Sequence, residues 1–139
     1  MMERTFEVRV IKAGDADGEA LVSSEPLGFL GVVDPDSGIV TETTHSLYGQ
    51  SVAGKVLVFP TGKGSTVGSY TIYRLKKNGM APLAIVNAES EPIIATGAAI
   101  SDIPLVDQMD ISQIKSGDRV RLSGGLLTVY AQIVAEVGE

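Results

Sequence analysis

Apolar and polar positions alternate from Thr5 to Lys12, with Phe6, Val8 and Val10 on one side and Thr5, Glu7 and Arg9 on the other, which predicts one half-buried strand. Ala13-Gly14-Asp15-Ala16-Asp17-Gly18 reads as a turn, and a short strand resumes from Glu19 to Ser23. Leu27 to Val33 is an apolar stretch broken by Gly28 and Gly31, so bends are expected there rather than a helix. A β-branched run from Lys55 to Phe59 then predicts a buried strand. It stops at Pro60, passes through the glycine-rich turn Thr61 to Ser69, and resumes at Tyr70 in a helical pattern that Asn78-Gly79 should end. Leu83 to Asn87 has the continuous apolar character of a buried parallel strand, which would complete a β-α-β crossover with Val56 to Phe59.

Further along, Ile93 to Ala99 and Ile103 to Val106 are two more candidate strands, and Ile111 to Ile114 fits one helical turn. Arg119 to Ser123 and Leu126 to Tyr130, separated by Gly124-Gly125, predict a two-residue hairpin. The sum is a mixed, β-rich α/β domain, barrel-like or sandwich-like, with one convincing crossover helix. A doubly wound nucleotide fold would need more alternating helices. At 139 residues the chain is expected to form a single domain over residues 1–139.

The loop at residues 60–69 concentrates the candidate chemistry. It follows the C-terminal end of a strand and opens a helix, where backbone N–H groups without intrahelical partners point toward anions. Gly62, Gly64, Ser65 and Gly68 let a ligand approach the backbone, and Ser65 and Ser69 offer hydroxyls. The loop is not a nucleotide-binding G-x-x-x-x-G-K-S/T motif, because Gly64 separates Lys63 from Ser65 and the upstream glycine is missing. Asp34-Pro35-Asp36-Ser37-Gly38 is a turn rather than a calcium loop, since the position that would carry the bidentate glutamate is His45. Ser65 and His45 make no recognisable nucleophile and base pair, because no G-x-S-x-G elbow surrounds the serine.

Composition narrows the partners. A formal charge of −6 argues against a nucleic-acid backbone. The absence of cysteine excludes disulfides and any thiolate-held zinc or iron–sulfur centre built by this chain alone, and one histidine makes an all-protein transition-metal site unfavourable. No metal ligand set is therefore expected. Nothing near Met1-Met2-Glu3-Arg4 resembles a leader, no apolar run approaches the roughly 20 residues of a membrane span, and a cytoplasmic location is expected.

Val33-Asp34 through Val40, His45 with Gly49 to Lys55, Val56 to Pro60, and Gly62-Lys63-Gly64-Ser65-Thr66-Val67-Gly68-Ser69 together resemble the small subunit of the aconitase X family. The similarity extends through Ala84 to Asn87 and Ile103 to Val106 to the Ser116-Gly117-Asp118 turn. It implies a swivelling β/β/α domain docked on a large subunit that carries a 4Fe–4S iron–sulfur cluster and most of the substrate contacts. In that family the serine of the Gly-Lys-Gly-Ser or Gly-Arg-Gly-Ser loop is the proton acceptor, and it falls on Ser65. The implied reaction is dehydration of (R)-5-phosphomevalonate to trans-anhydromevalonate 5-phosphate in a modified mevalonate route to isoprenoids, with the cluster iron withdrawing the hydroxyl. Gly62, Lys63, Gly64 and Thr66 are expected to bind substrate or the developing oxyanion. Arg74 is read as a surface or subunit-interface residue, Tyr48 and His45 as packing or cleft residues, and an apolar rim is expected around the loop. Two alternatives remain at this level: dehydration of cis-3-hydroxy-L-proline, or a non-catalytic module that captures an anion.

Overall fold

The computed structural model describes residues 3–132; Met1 and Met2, which belong to the leader expectation, and the last seven residues of the expected domain range lie outside the described residues. Eight strands form one strongly bent, nearly closed sheet in the order β1-β8-β7-β3-β4-β5-β6-β2. The strands are β1 (Glu3–Glu7), β2 (Arg9–Lys12), β3 (Ala16–Val22), β4 (Val56–Phe59), β5 (Ala84–Asn87), β6 (Leu105–Asp107), β7 (Arg119–Ser123) and β8 (Leu126–Tyr130). Among the described residues the helices are α1 (Gly68–Lys77) and α2 (Pro92–Ser101), with a short 3₁₀ turn at Ile111–Gln113.

Two chain segments join the halves. The single strand expected over Thr5–Lys12 is instead two strands, because the chain passes at Val8 from one end of the sheet to the other: β1 pairs antiparallel with β8, and β2 pairs antiparallel with β6. Val8 N–H donates to the Gly125 carbonyl at 3.0 Å at the crossing point. The alternation therefore does not keep one face, and Val10, expected inward, is 44% exposed. β3 divides in the same way, its first half pairing antiparallel with β7 and its second half parallel with β4. It also begins earlier than expected, since Ala16-Asp17-Gly18 belong to the strand rather than to the preceding turn.

Side-chain alternation on the parallel strands builds two cores. Ala20, Val56, Val58, Ala84, Val86 and Val106 point into the barrel, where they meet Val120, Leu122, Leu127 and Val129 of the hairpin. Leu21, Leu57, Phe59, Ile85 and Leu105 face the other way, toward Ile72 and Leu75 of α1 and Ile94 and Ala98 of α2. Because both faces of β4 and β5 are covered, all their residues are buried, which explains the unbroken apolar runs. The β7–β8 hairpin covers one face only, so Arg119 and Arg121 alternate outward.

The stretch expected as a strand over Ile93–Ala99 is helix α2. Pro92 occupies its first turn, the Glu91 side chain caps its start, and Asp102 in the left-handed region ends it. A short apolar run does not distinguish a buried helix from a buried strand by periodicity. The glycine-broken segment between β3 and β4 is irregular as expected, with isolated bridges Val33–Val40 and Ile39–Ser51 and with Leu27, Phe29, Val40, Leu47 and Val52 closing the helical-side core. Among the described residues no helix is long and apolar enough to cross a membrane.

Candidate functional site

Since β3, β4, β5 and β6 run parallel, their C-terminal ends share one edge of the sheet. The chain leaves that edge at Ser23, Pro60, Ala88 and Gln108. Parallel-sheet edges of this kind place connecting backbone, rather than packed side chains, against a ligand. The loop after β4 is the one that projects: Gly62 is buried, Lys63 to Val67 are exposed, and Gly68 is buried again at the start of α1.

Ser65 stands at the crest. Its Oγ accepts the Val67 N–H at 3.1 Å, and its carbonyl accepts the Gly68 N–H at 2.9 Å. The serine therefore closes a turn ahead of the helix and does not cap it; the N-cap is Val67, which has no side-chain cap bond. The helix starts two residues before the expected Tyr70. The N–H groups of Gly64, Ser65 and Thr66 have no acceptor among the described residues. An N–H donated to Oγ favours the oxyanion form of that oxygen over the neutral hydroxyl, and so do free amides and a helix N-terminus nearby. Gly64 supplies the sharp bend with φ of +93°, a conformation L side chains rarely adopt.

The other loop residues divide by contact. Lys63 is exposed, its stem lies over Gly28, and its ammonium forms no ion pair among the described residues. Ser69, expected to offer a hydroxyl to a ligand, instead donates it to the Ile93 carbonyl at 2.6 Å. Leu30, Val67 and Tyr70, between 49% and 57% exposed, are apolar groups around the loop. A cleft of about 220 Å³ lined by Thr66, Ser69, Pro92, Ile93 and Thr96 opens between the two helix starts. Ser65 itself is exposed, so enclosing a substrate there needs a second surface.

His45 takes no part in this geometry. Its ring is buried, Nδ1 accepts the Leu47 N–H at 3.1 Å, and Nε2 therefore carries the proton it donates to the Pro26 carbonyl at 3.2 Å. Both nitrogens are engaged in holding the backbone, which agrees with packing. Tyr48 is exposed at 55%, and Arg74 is exposed on α1. The Asp34 carboxylate accepts the Asp36 N–H and the Ser37 hydroxyl, so the aspartate-proline segment is the expected turn. Among the described residues no three His, Cys, Asp or Glu side chains converge on a metal position.

Sequence reasoning missed the supports of the loop. Leu27 bridges Gly62, and its N–H donates to the Thr61 carbonyl at 3.1 Å. The Ala88–Ile94 segment lies against the loop's other side; Pro92 after Glu91 was its legible signal, a proline at the first helical position. Near it the buried Asp107 carboxyl is held below the ordinary carboxylate range, mainly by Arg9 and against the opposing effect of burial.

The comparisons with known proteins agree with this architecture. A family model for the aconitase X swivel domain matches residues 5–130. A Thermococcus onnurineus protein named phosphomevalonate dehydratase small subunit is 59% identical over 123 residues, covering 87% of this chain and 95% of that protein. A Methanosarcina acetivorans protein of the same name is 60% identical over 119 residues, covering 84% of this chain and 83% of that protein. The crystal structure of Thermococcus kodakaraensis aconitase X in its holo-form superposes with a TM-score of 0.90 at 54% identity, covering 92% of this chain and 99% of that chain. With the family match running from the middle of β1 to the end of β8, the chain belongs to the aconitase X swivel domain family.

Proposed function

We propose that this chain is the small subunit of a hydro-lyase that dehydrates (R)-5-phosphomevalonate to trans-anhydromevalonate 5-phosphate, with Ser65 as the proton acceptor. The shared name of relatives at 53–60% identity supports the substrate and the subunit role. The observation that carries the role of Ser65 is its place on an exposed glycine loop, with Oγ accepting the Val67 N–H and three neighbouring amides without an acceptor among the described residues.

A free serine hydroxyl is a weak base. It becomes useful when its alkoxide is held by donors already in place, which here are the Val67 N–H, the amides of Gly64, Ser65 and Thr66, and the start of α1. In this reading the Ser65 alkoxide takes the proton from the carbon next to the substrate carboxylate, the electron pair of that C–H bond forms the double bond, and hydroxide leaves the neighbouring carbon with its bonding pair. One proton taken up by the hydroxide gives water and is balanced by the proton that Ser65 gives up to regain its alkoxide. Lys63 reaches a substrate phosphate or carboxylate as a mobile cation. Gly64, exposed and with open space where a side chain would stand, leaves the approach to the backbone clear. Residues 1–139 act as one swivel domain in the cytoplasm, closing with the apolar rim of Leu30, Val67 and Tyr70 against the large subunit. Without cysteine this chain supplies no thiolate ligand for an iron–sulfur cluster, which belongs in this reading to the large subunit.

The test is co-expression with a candidate large subunit, anaerobic purification and an assay for phosphomevalonate dehydration. Activity should require both chains. Ser65→Ala should lower kcat by about 10²–10⁴-fold, the contribution of a positioned acid or base, with subunit association intact. Normal turnover by Ser65→Ala would remove the serine from the chemistry. Turnover of cis-3-hydroxy-L-proline instead would change the substrate, and a folded chain that associates with no such partner would leave an anion-binding module.

A further inference from the structure

What holds the exposed loop lies at its two feet. Between Lys63 and Val67 the hydrogen bonds run within the turn or to the first residues of α1, Gly68 to Thr71, so the crest is placed by residues 60–62 on one side and the start of α1 on the other. At the first foot the Pro60 carbonyl accepts the N–H groups of Ala88 and Glu89, both at 3.0 Å. Gly62 comes next, and its Cα rests so closely on the Glu91 carboxylate and Ile94 that any side chain would overlap both. At the second foot the Ser69 hydroxyl donates to the Ile93 carbonyl at 2.6 Å, and a methyl on Gly68 would stand 3.3 Å from Ile93 Cγ2. Both feet therefore stand on the Ala88–Ile94 segment.

That segment is itself fixed. Glu91 accepts the Ile93 N–H on Oε2 at 2.9 Å and the Ile94 N–H on Oε1 at 2.8 Å, which satisfies two of the unpaired amides at the start of α2. The Ser90 N–H donates to Asp107 at 2.9 Å. Aspartate, serine, threonine and asparagine are the usual residues at an N-cap. A shorter acid would satisfy the same helix amides and withdraw from Gly62, so the longer glutamate does something that capping alone does not require. Its charge lies beneath an anion-binding loop and is offset by the α2 start that it caps.

We propose that Glu91 and Ser69 are positioning residues for the Ser65 loop: Glu91 seats Gly62 while capping α2, Ser69 ties the first turn of α1 to Ile93, and together they set where Ser65 Oγ stands. The inference rests on the reading of Ser65 as proton acceptor. A base that works only in the transition state is sensitive to placement, and a displacement of about 1 Å can cost on the order of 10²-fold in rate.

The test uses the two-subunit complex with Glu91→Asp, Ser69→Ala and Ser69→Thr, with Ser65→Ala as the reference, and backbone amide NMR of each full-length small chain. Glu91→Asp and Ser69→Ala should lower kcat about 10–100-fold with KM within about twofold, because substrate binding is not what they support. Ser69→Thr, which keeps the hydroxyl, should recover most of the rate. The amide signals of Gly62 to Val67 should move in the two damaging variants, while those of the β7–β8 hairpin stay in place. Unchanged kcat in Glu91→Asp and Ser69→Ala, beside an inactive Ser65→Ala, would overturn the positioning role, as would loop amides that do not move. If Ser65→Ala turns over normally, the base assignment fails by itself, and the loop amides still report whether Glu91 and Ser69 hold the loop.

Discussion

Asp107 ends β6 with its side chain wholly buried, while the Arg9 side chain that binds it remains 58% exposed. Arg9 Nε and Nη2 donate to the two carboxylate oxygens at 2.8 and 2.7 Å, and the Ser90 N–H donates to Oδ2 at 2.9 Å. This group joins the closing strand β2 to β6 and to the segment under the serine loop. Asp107→Asn keeps one acceptor and removes the charge. Hydrogen bonds to charged groups contribute about 1.5–3 kcal/mol, and the exposed guanidinium regains hydration when released, so a loss of about 2 kcal/mol is expected. With an unfolding entropy of roughly 2.1 cal/mol/K per residue, that lowers Tm by about 7 °C at neutral pH.

The pH dependence makes the prediction specific. Arg9 holds the native Asp107 carboxyl below its ordinary value, with the Ser90 N–H acting in the same direction and burial opposing both. The unfolded chain therefore binds this proton more readily than the native one, and the contribution to stability rises with pH. It is fully present above the unfolded carboxyl value of about 3.9 and is lost as pH falls through the depressed native value. Melts followed by circular dichroism from pH 7 to pH 2.5 should show the gap between wild type and Asp107→Asn widest near neutrality and closing in acid. Arg9→Met should also close its gap with the wild type in acid. Without the guanidinium, burial dominates and raises the carboxyl's proton affinity, so this variant should gain on the wild type as pH falls. A gap that holds constant or widens below pH 4 in Asp107→Asn would refute the reasoning.

Two further substitutions separate packing from backbone strain. Gly97→Ala in α2 gains roughly 1 kcal/mol of helix propensity, yet its methyl would stand 2.6 Å from Ile72 Cδ1 and 3.1 Å from Ile72 Cβ, and overpacking costs about 1–3 kcal/mol. A net loss of about 1 kcal/mol is expected in urea melts, and a more stable variant would show that the α1–α2 contact can open. Gly64→Ala and Gly49→Ala place the same strain, at φ of +93° and +83°, where a methyl meets open space. Each should lower stability by about 1–2 kcal/mol. Only Gly64→Ala should also reduce turnover of the complex beyond what its melting curve explains, and equal turnover in the two variants would detach the loop's conformation from catalysis.

The strongest local signals are legible in the sequence: the apolar runs of β4 and β5, the Asn78-Gly79 stop of α1, and the hairpin turn at Gly124-Gly125, where φ is +58° and +84°. Each depends on residues adjacent in sequence. Local sequence misleads where a distant partner decides the outcome. Ile93 to Ala99 reads as a strand because two isoleucines open it, but Gly97 and Ala98 press against α1 and the sheet, which a helix permits and a fifth parallel strand would not. Thr5 to Lys12 alternates as a strand should, and nothing local marks Val8 as the residue where β1 leaves β8 and β2 joins β6.

The same division holds at the candidate site. Gly62-Lys63-Gly64-Ser65 is legible as a loop that offers amides and a hydroxyl, because the bend needs glycine and the helix start leaves donors free. Where that hydroxyl points is not in the loop. It depends on Leu27 on one side and on Ala88 to Ile94 on the other, separated from Ser65 by more than twenty residues in each direction and brought to it by parallel pairing of β3, β4 and β5. Gly62 illustrates why the sequence misleads: read locally it allows a ligand to approach, whereas in the fold its missing side chain admits Glu91. A glycine in such a loop can therefore be required by the protein beneath it as much as by the ligand above, and Gly62→Ala should disturb the seat of the serine even with no substrate present.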